Sequence, residues 1–303
     1  MGKLCGLFGK TRAAVYDRQK RRQSATMVQE LVLHHVQQIR SSLPRLGTRK
    51  LHYLLKPLLR EHGVTIGRDW LFDLLEAHKL LIRQRKRKAV TTDSRHWMHK
   101  YPNQIKELEV VRPEQLWVSD ITYIRLVNQW GYLSLITDAY SHQVMGHAFR
   151  TDLSAEGCID ALKMALKARA YPQRPLIHHS DRGSQYCCEA YVKLLHDHQV
   201  TISMTQNGNP YDNALAERLN GILKNEFNLH ECRIPFQAAA QRIARNIKAY
   251  NELRPHDSCN LLTPQQAHKK QGPLLKKWKN YKKKARKPES SALTGIPPPA
   301  SRQ

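Results

Sequence analysis

Three acidic residues of this chain could do chemistry together: Asp120, Asp181 and Glu217. Asp120 lies inside the apolar run Leu116–Ile124, Asp181 ends the run Pro175–Asp181, and thirty-five residues separate Asp181 from Glu217. An ionised carboxylate in an apolar strand is costly unless a partner or a cation neutralises it. Oxygen ligands of this kind suit Mg²⁺ or Mn²⁺ rather than zinc or copper. In a chain of net charge +25, the three residues therefore predict a divalent-metal site for phosphodiester chemistry.

Each carboxylate also has a plainer interpretation. Asp120 could face water from an edge strand, and Asp181 could cap the helix that follows it. Glu217 shares a predicted helix face with small, polar and basic residues, among them Asn220 and Lys224. That face suits an approaching phosphate backbone, with Lys224 on a phosphate, but an ordinary solvated face has the same pattern.

The overall charge indicates a polyanionic partner. Lysine and arginine outnumber aspartate and glutamate by 50 to 25, which favours nucleic acid over a membrane. No apolar stretch approaches the length of a membrane span or signal peptide, so we expect a soluble, cytoplasmic protein that joins the nucleoid when bound to DNA. The 6 cysteines lack zinc-finger spacing and are interpreted as reduced packing residues.

The N-terminal part is predicted to be helical. After a basic segment, residues 1–23, helical spacing indicates helices over Met27–Arg40, after a Thr48 cap, and over Arg68–His78. Residues 24–88 are therefore predicted to form a helix-turn-helix domain, although a small packing domain with no DNA role would look similar. The inward face of the third helix is predicted to be Trp70, Leu71, Leu74 and Leu75. The predicted contacts of this region with the DNA backbone are Arg68, Arg83, Arg85, Arg87, Lys86 and Lys88.

The rest of the chain is predicted to form a linker, an α/β core and a tail. Residues 89–113 are the linker, and residues 114–230 show the order β-β-β-α-β-α-β-α, beginning with an antiparallel meander. A single helix is predicted over Ser184–His198 within this core. Residues 231–268 are its C-terminal helical part. Residues 269–303 form a basic, partly disordered tail, which either contacts the DNA backbone or is a solvated charge run.

Several motifs together resemble the DDE catalytic core of bacterial insertion-sequence transposases, and specifically the second-frame (OrfB-type) product. They are Trp117–Tyr123, His179–Tyr186, Gly208–Glu226, Tyr250-Asn251, Arg254–His256 and Thr263-Pro264. The resemblance covers about residues 24–268. It departs from the family at Cys259-Asn260, where leucine and glycine are usual, and at Cys187-Cys188, where small polar residues are expected.

The resemblance implies a ribonuclease-H-like fold, a mixed five-stranded sheet flanked by helices and preceded by the helix-turn-helix domain. It implies that Asp120, Asp181 and Glu217 hold Mg²⁺ or Mn²⁺, as two ions roughly 3.5 to 4 Å apart, for DNA strand cleavage and strand transfer. The implied partners are double-stranded DNA at the element ends and target, further copies of the chain, and a first-frame protein or fusion. The alternatives are a DNA-binding regulatory or inhibitory product and a ribonuclease-H-like nuclease. His178 and His179 are interpreted as a packed strand pair rather than a catalytic base.

Overall fold

The computed structural model describes residues 11–82, 97–206, 214–230 and 232–275. Three helices come first: α1 (Arg12–Ser42), α2 (Thr48–Glu61) and α3 (Arg68–Ala77). The core then follows as β1 (Leu116–Arg125), β2 (Trp130–Asp138), β3 (Val144–Arg150), α4 (Ala155–Lys167), β4 (Ile177–Ser180), α5 (Ser184–Cys187), α6 (Glu189–Asp197), β5 (Thr201–Met204) and α7 (Ala214–Glu226). The C-terminal part contains α8 (Phe236–Leu253), a 3-10 turn (Asp257–Cys259) and α9 (Pro264–His268).

The five strands form one mixed sheet in the order β3-β2-β1-β4-β5. β1 pairs with β2, and β2 with β3, in antiparallel fashion, whereas β1 with β4 and β4 with β5 are parallel. The crossover from β3 to β4 is made by α4, as a parallel connection requires. The predicted mixed five-stranded sheet and its antiparallel meander are confirmed.

Each face of the sheet is covered by a separate hydrophobic cluster. One face packs against α4 and α6 through residues such as Trp117 and Ile136. The other face carries Ile124 and Leu133, which pack with α7, α8 and the N-terminal helices. The N-terminal helices therefore share a hydrophobic core with the sheet, through side chains such as Leu55.

Several local predictions differ from the structure. The first helix begins at Arg12, so part of the basic segment 1–23 is helical although none of its described side chains is buried. Thr48 is the first helical residue rather than the cap, which is Gly47. Trp70 is 36% exposed because Leu71, Leu74 and Leu75 already fill the inward side of the ten-residue α3. The single helix predicted over Ser184–His198 is broken at Cys188, whose ψ of 147° is extended.

The predicted linker is partly ordered on the core. Residues 97–113 have no helix or strand, yet the Gln104 backbone N–H donates to the Ser203 hydroxyl at 2.9 Å and the Met204 N–H donates to the Pro102 carbonyl. The domain boundaries proposed from sequence stay a prediction. Among the described helices, none combines the length and apolarity needed to cross a bilayer.

Candidate active site

The sheet register brings Asp120 and Asp181 side by side. In the parallel pair β1 and β4, Val118 lies opposite His179. Two residues further along each strand direction come Asp120, within β1, and Asp181, directly after β4. Side chains two apart share a face, so both carboxylates lie on the side of the sheet covered by α7. β1 lies between β2 and β4, so the edge-strand interpretation of Asp120 is wrong.

Helix α7 supplies the third carboxylate and fixes the first. Glu217 lies in its first turn and is exposed, whereas Asn220, one turn later on the same face, is 8% exposed. The Asn220 amide Nδ2 donates to Asp120 Oδ2 at 2.6 Å, and the Ile121 N–H donates to Asp120 Oδ1 at 3.0 Å. Both carboxylate oxygens of Asp120 are therefore held, and the face of α7 that bears Glu217 is turned toward β1.

The three carboxylates interact through their charges. Burial, together with the charges of Asp181 and Glu217, raises the pKa of Asp120 to about 7, while the Ile121 N–H and Lys224 oppose the change. A carboxyl group with this pKa is partly protonated at neutral pH, because ionising it places a charge in a buried position and adds a third negative charge to the cluster. An added cation would relieve this repulsion, so the donor set fits a divalent metal bound through oxygen.

The three carboxylates are near one another, but their oxygen atoms are not as close together as the ligands of a bound metal ion. In the described part of the chain, one group of three or more His, Cys, Asp or Glu residues has all its ligand atoms within 4.8 Å of one another. That group is His142, His256 and Cys259, which lies elsewhere. The ligand atoms of Asp120, Asp181 and Glu217 are therefore more widely spaced than that. Asp181 does not cap the next helix, because Gly183 occupies the cap position and donates its N–H to Asp181 Oδ1 at 2.9 Å.

The predicted DNA contacts fall in different places. Lys224 lies on α7 and is half-buried; burial lowers its pKa, which the negative charge of Asp120 raises in turn. Arg68, at the exposed start of α3, donates to Asp69 at 2.8 Å. Five of the predicted contacts lie outside the described residues: Arg83, Arg85, Lys86, Arg87 and Lys88. Residues 207–213 and those beyond 275 also lie outside the described part of the chain.

His178 and His179 are fully buried, as the packed-strand interpretation requires. The Ser119 and Tyr191 hydroxyl oxygens lie 2.6 and 2.8 Å from His178 Nε2. Burial lowers the pKa of His178 to about 3, so its ring is neutral. The pair is part of the core beneath the site rather than a catalytic base.

One buried polar cluster was not predicted from the sequence. The Glu114 side chain is completely buried and accepts from the backbone N–H groups of Ala170 and Tyr171, while Asp138 accepts from the Glu114 N–H at 2.6 Å. His268, at the end of α9, contacts both carboxylates. The sequence gives one sign of this cluster: the charged residue Asp138 ends the otherwise largely apolar strand β2.

Solved structures with a similar fold include retroviral integrases. The catalytic core domain of HTLV-2 integrase in complex with magnesium aligns with a TM-score of 0.42 and 21% identity, covering 54% of this chain and 100% of that one. The simian T-cell lymphotropic virus intasome aligns with a TM-score of 0.47 and 21% identity, covering 76% of this chain and 78% of that one.

Sequence relatives are more informative about the family. Two models described as "Integrase core domain" match residues 110–210 and 198–264. The IS600 uncharacterized 31 kDa protein of Shigella sonnei is 32% identical over 269 residues, covering 86% of this chain and 96% of that protein.

Two transposases match part of the chain. The transposase for IS629 of Shigella sonnei is 34% identical, covering 59% of this chain and 58% of that protein. Transposase InsF for IS3A of Escherichia coli is 37% identical, covering 52% of this chain and 55% of that protein, so the alignments span little over half of both transposases. With the sheet order and the nearly full-length match to the insertion-element protein, these findings show that the chain belongs to the insertion-sequence transposases with an integrase core domain.

Proposed function

We propose that this chain cleaves DNA strands at the ends of an insertion sequence and joins them to target DNA, using Asp120, Asp181 and Glu217 to hold divalent metal. The observation that carries the proposal is the juxtaposition of Asp120 and Asp181 on parallel strands, under a helix that turns Glu217 toward them. Bound Mg²⁺ or Mn²⁺ would activate water or a DNA 3′-hydroxyl and neutralise charge on the phosphate.

The residues of the chain contribute positioning and charge. Asn220 and the Ile121 N–H orient the Asp120 carboxylate, and the Gly183 N–H orients that of Asp181. Lys224, close enough to Asp120 to influence its pKa, is placed to contact a phosphate of the bound strand. No covalent intermediate with a protein side chain is required for this chemistry.

The N-terminal helices would supply the contact with the element ends. Arg68 and Trp70 at the exposed start of α3 are available to DNA, and the basic run Arg83–Lys88 follows the same helix in sequence. Because these helices share a hydrophobic cluster with the core, bound DNA would be held in a defined relation to the carboxylates. We expect the working assembly to contain several copies of the chain and to involve a first-frame protein or fusion.

The test uses purified protein, Mg²⁺ and labelled DNA that carries the terminal repeats flanking its own gene. Asp120→Asn, Asp181→Asn and Glu217→Gln are each expected to reduce cleavage and joining at least about 100-fold while DNA binding persists. Glu189→Gln is the matched control, because Glu189 is also an exposed glutamate in the first turn of a helix.

The outcomes separate the possible functions. End-specific joining that is lost in the three variants and kept in Glu189→Gln supports a transposase. Cleavage without joining would identify a nuclease, and binding without any chemistry would identify a regulatory product. Cleavage retained by any one of the three variants would remove that residue from the site.

A further inference from the structure

The group His142, His256 and Cys259 is a second cluster of metal-binding residue types, and none of its members belongs to the proposed catalytic site. Their ligand atoms all lie within 4.8 Å of one another. His142 belongs to the turn between β2 and β3, whereas His256 and Cys259 lie in the segment between α8 and α9. Two separate parts of the chain therefore meet at these three side chains.

His256 is suited to bind a cation. Its side chain is 2% exposed, and its Nδ1 atom is buried without a hydrogen-bond partner in the described part of the structure. A buried nitrogen left in this way costs stability unless something binds it. Burial also lowers the pKa of His256 well below its usual value, so the ring is neutral, which is the form that binds metal.

Cys259 is completely buried and faces the same turn. Its thiol lies 3.5 Å from the Ser141 carbonyl oxygen, one residue before His142. Burial, followed by the charge of Asp138, raises the pKa of Cys259 to about 12, so the thiol is protonated in the absence of a cation. When a metal binds, the S–H bond breaks, the proton leaves to solvent and a metal–sulfur bond forms.

The spacing is close to that of a tetrahedral site. Nitrogen and sulfur ligands of tetrahedral zinc lie roughly 3.3 to 3.6 Å apart, given the usual bond lengths. Ligand atoms already within 4.8 Å need to approach by about 1 Å, and His142 is only partly buried. The two imidazole rings stack with centroids 4.3 Å apart and an interplanar angle of 11°. Because a metal–nitrogen bond lies in the plane of the ring, the His142 ring must rotate out of this stack for both rings to bind one ion.

The nearby positive charges are largely compensated. Arg254, Lys50 and Arg218 lower the pKa of His256, but Arg254 is paired with Glu226 at 2.7 Å and Lys50 with Asp257 at 3.5 Å. Binding a divalent ion to a newly formed thiolate adds one net positive charge. The negative charge of Asp138, which acts on Cys259, offsets part of it.

We propose that His142, His256 and Cys259 form a zinc site that ties the turn between β2 and β3 to the segment that follows α8. Two imidazoles and a thiolate are a typical zinc donor set, and water would take the fourth position. The site would add to contacts that already join the two parts, such as the Tyr250 hydroxyl donating to the His142 carbonyl at 3.0 Å.

The test uses the full-length protein freed of metal with a chelator and titrated with Co²⁺, whose thiolate complex absorbs in the near ultraviolet. We expect one equivalent of Co²⁺ to produce the thiolate band and Zn²⁺ to displace it. Cys259→Ala should abolish the band, and His142→Ala should weaken binding at least about 100-fold. Cys232→Ala is the matched control, because Cys232 is also a buried free cysteine.

Asp120→Asn serves as a second control, since a band that survives this change does not arise from the catalytic carboxylates. Zinc should also raise the melting temperature of the wild type and of Cys232→Ala but not of Cys259→Ala. Should Cys259→Ala fail to fold, the partly exposed His142→Ala decides the question. Absence of the band from the wild type, or its persistence in Cys259→Ala or undiminished in His142→Ala, would overturn the proposal.

Discussion

The buried cluster around His268 should make the stability of this protein depend on pH. The Ser141 hydroxyl bridges Asp138 Oδ1 at 2.8 Å and His268 Nδ1 at 2.9 Å. Because its single proton goes to the carboxylate, the His268 Nδ1–H must donate to the hydroxyl oxygen. His268 Nε2 lies 3.4 Å from Glu114 Oε1, an oxygen of a carboxylate whose pKa is lowered and which can therefore only accept hydrogen bonds. Both ring nitrogens therefore carry protons, and His268 is the imidazolium cation.

The charges of the cluster agree with this assignment. Arg169 and His268 are the cations that contact the Glu114 and Asp138 carboxylates, so the group is neutral only when His268 is protonated. Burial alone would lower the pKa of His268, but hydrogen bonds and charge from Asp138 and Glu114 raise it from 6.5 to about 9. The charges of Asp138 and Glu114 also act on Arg112, but its guanidinium donates to backbone carbonyls at the edge of the cluster rather than to the carboxylates.

The size and direction of the effect follow from linkage. At about 1.4 kcal/mol per pKa unit, a rise from 6.5 to about 9 corresponds to at most about 3 kcal/mol of stability. A group whose pKa is raised in the folded state contributes fully below its unfolded pKa. The contribution of His268 should thus be complete below pH 6.5 and disappear as pH rises through about 9.

Thermal unfolding of the wild type and of His268→Gln at pH 6 and pH 9.5 would measure the contribution of His268 to stability. The variant should lose about 2 to 3 kcal/mol at pH 6, roughly 5 to 10 °C in melting temperature, and much less at pH 9.5. His198→Gln is the control, because His198 is exposed at the end of α6 and should show no such difference. An equal loss at both pH values, or no loss at pH 6, would refute the assignment of a buried imidazolium.

Three further changes probe the site and its support. Asp120→Asn should stabilise the metal-free protein by an amount that grows between pH 3.8 and about 7 and then levels off at no more than about 4 kcal/mol, because the raised pKa of Asp120 makes its ionisation costly in the folded state. Denaturant unfolding in the presence of a chelator measures this. Asn220→Leu should reduce cleavage roughly 10- to 100-fold and raise the Mg²⁺ concentration required, with DNA affinity unchanged, since Asp120 loses the donor 2.6 Å away. Gly146→Ala should cost about 2 kcal/mol or more in thermal unfolding, because a methyl group there would meet the Ala161 carbonyl oxygen at 2.0 Å.

The sequence was sufficient for the sheet and for two of the carboxylates. Alternation along β1 places Asp120 on a defined face, and a carboxylate directly after β4 must lie at the end of a neighbouring parallel strand. The strand register that sets the two carboxylates side by side is a tertiary property. The sequence could therefore suggest that Asp120 and Asp181 act together, but it could not show that they are neighbours. Likewise, the role of Asn220 depends on which strand α7 crosses, which no helical spacing specifies.

The missed features have local physical causes. The N-terminal half of α1 has no apolar periodicity to reveal it, since its described side chains before residue 24 are exposed or only partly buried. The break at Cys188 interrupts a run whose apolar spacing continues through it. At Asn260 the backbone is left-handed with φ of 54°, a conformation that asparagine tolerates better than most residues.

Helix α7 contacts three parts of the molecule and so connects the proposed catalytic site with the N-terminal helices. Its first turn carries Glu217, and at its last residue the Glu226 carbonyl accepts the Arg45 N–H from the connection between α1 and α2. The Glu226 carboxylate also binds Arg254, which is 2% exposed, through bonds of 2.7 and 2.8 Å. Removing one residue of an ion pair in which the other residue is buried costs far more stability than removing one residue of a surface pair. Helix α7 therefore connects the carboxylate in its first turn with both the α1–α2 connection and the segment that follows α8.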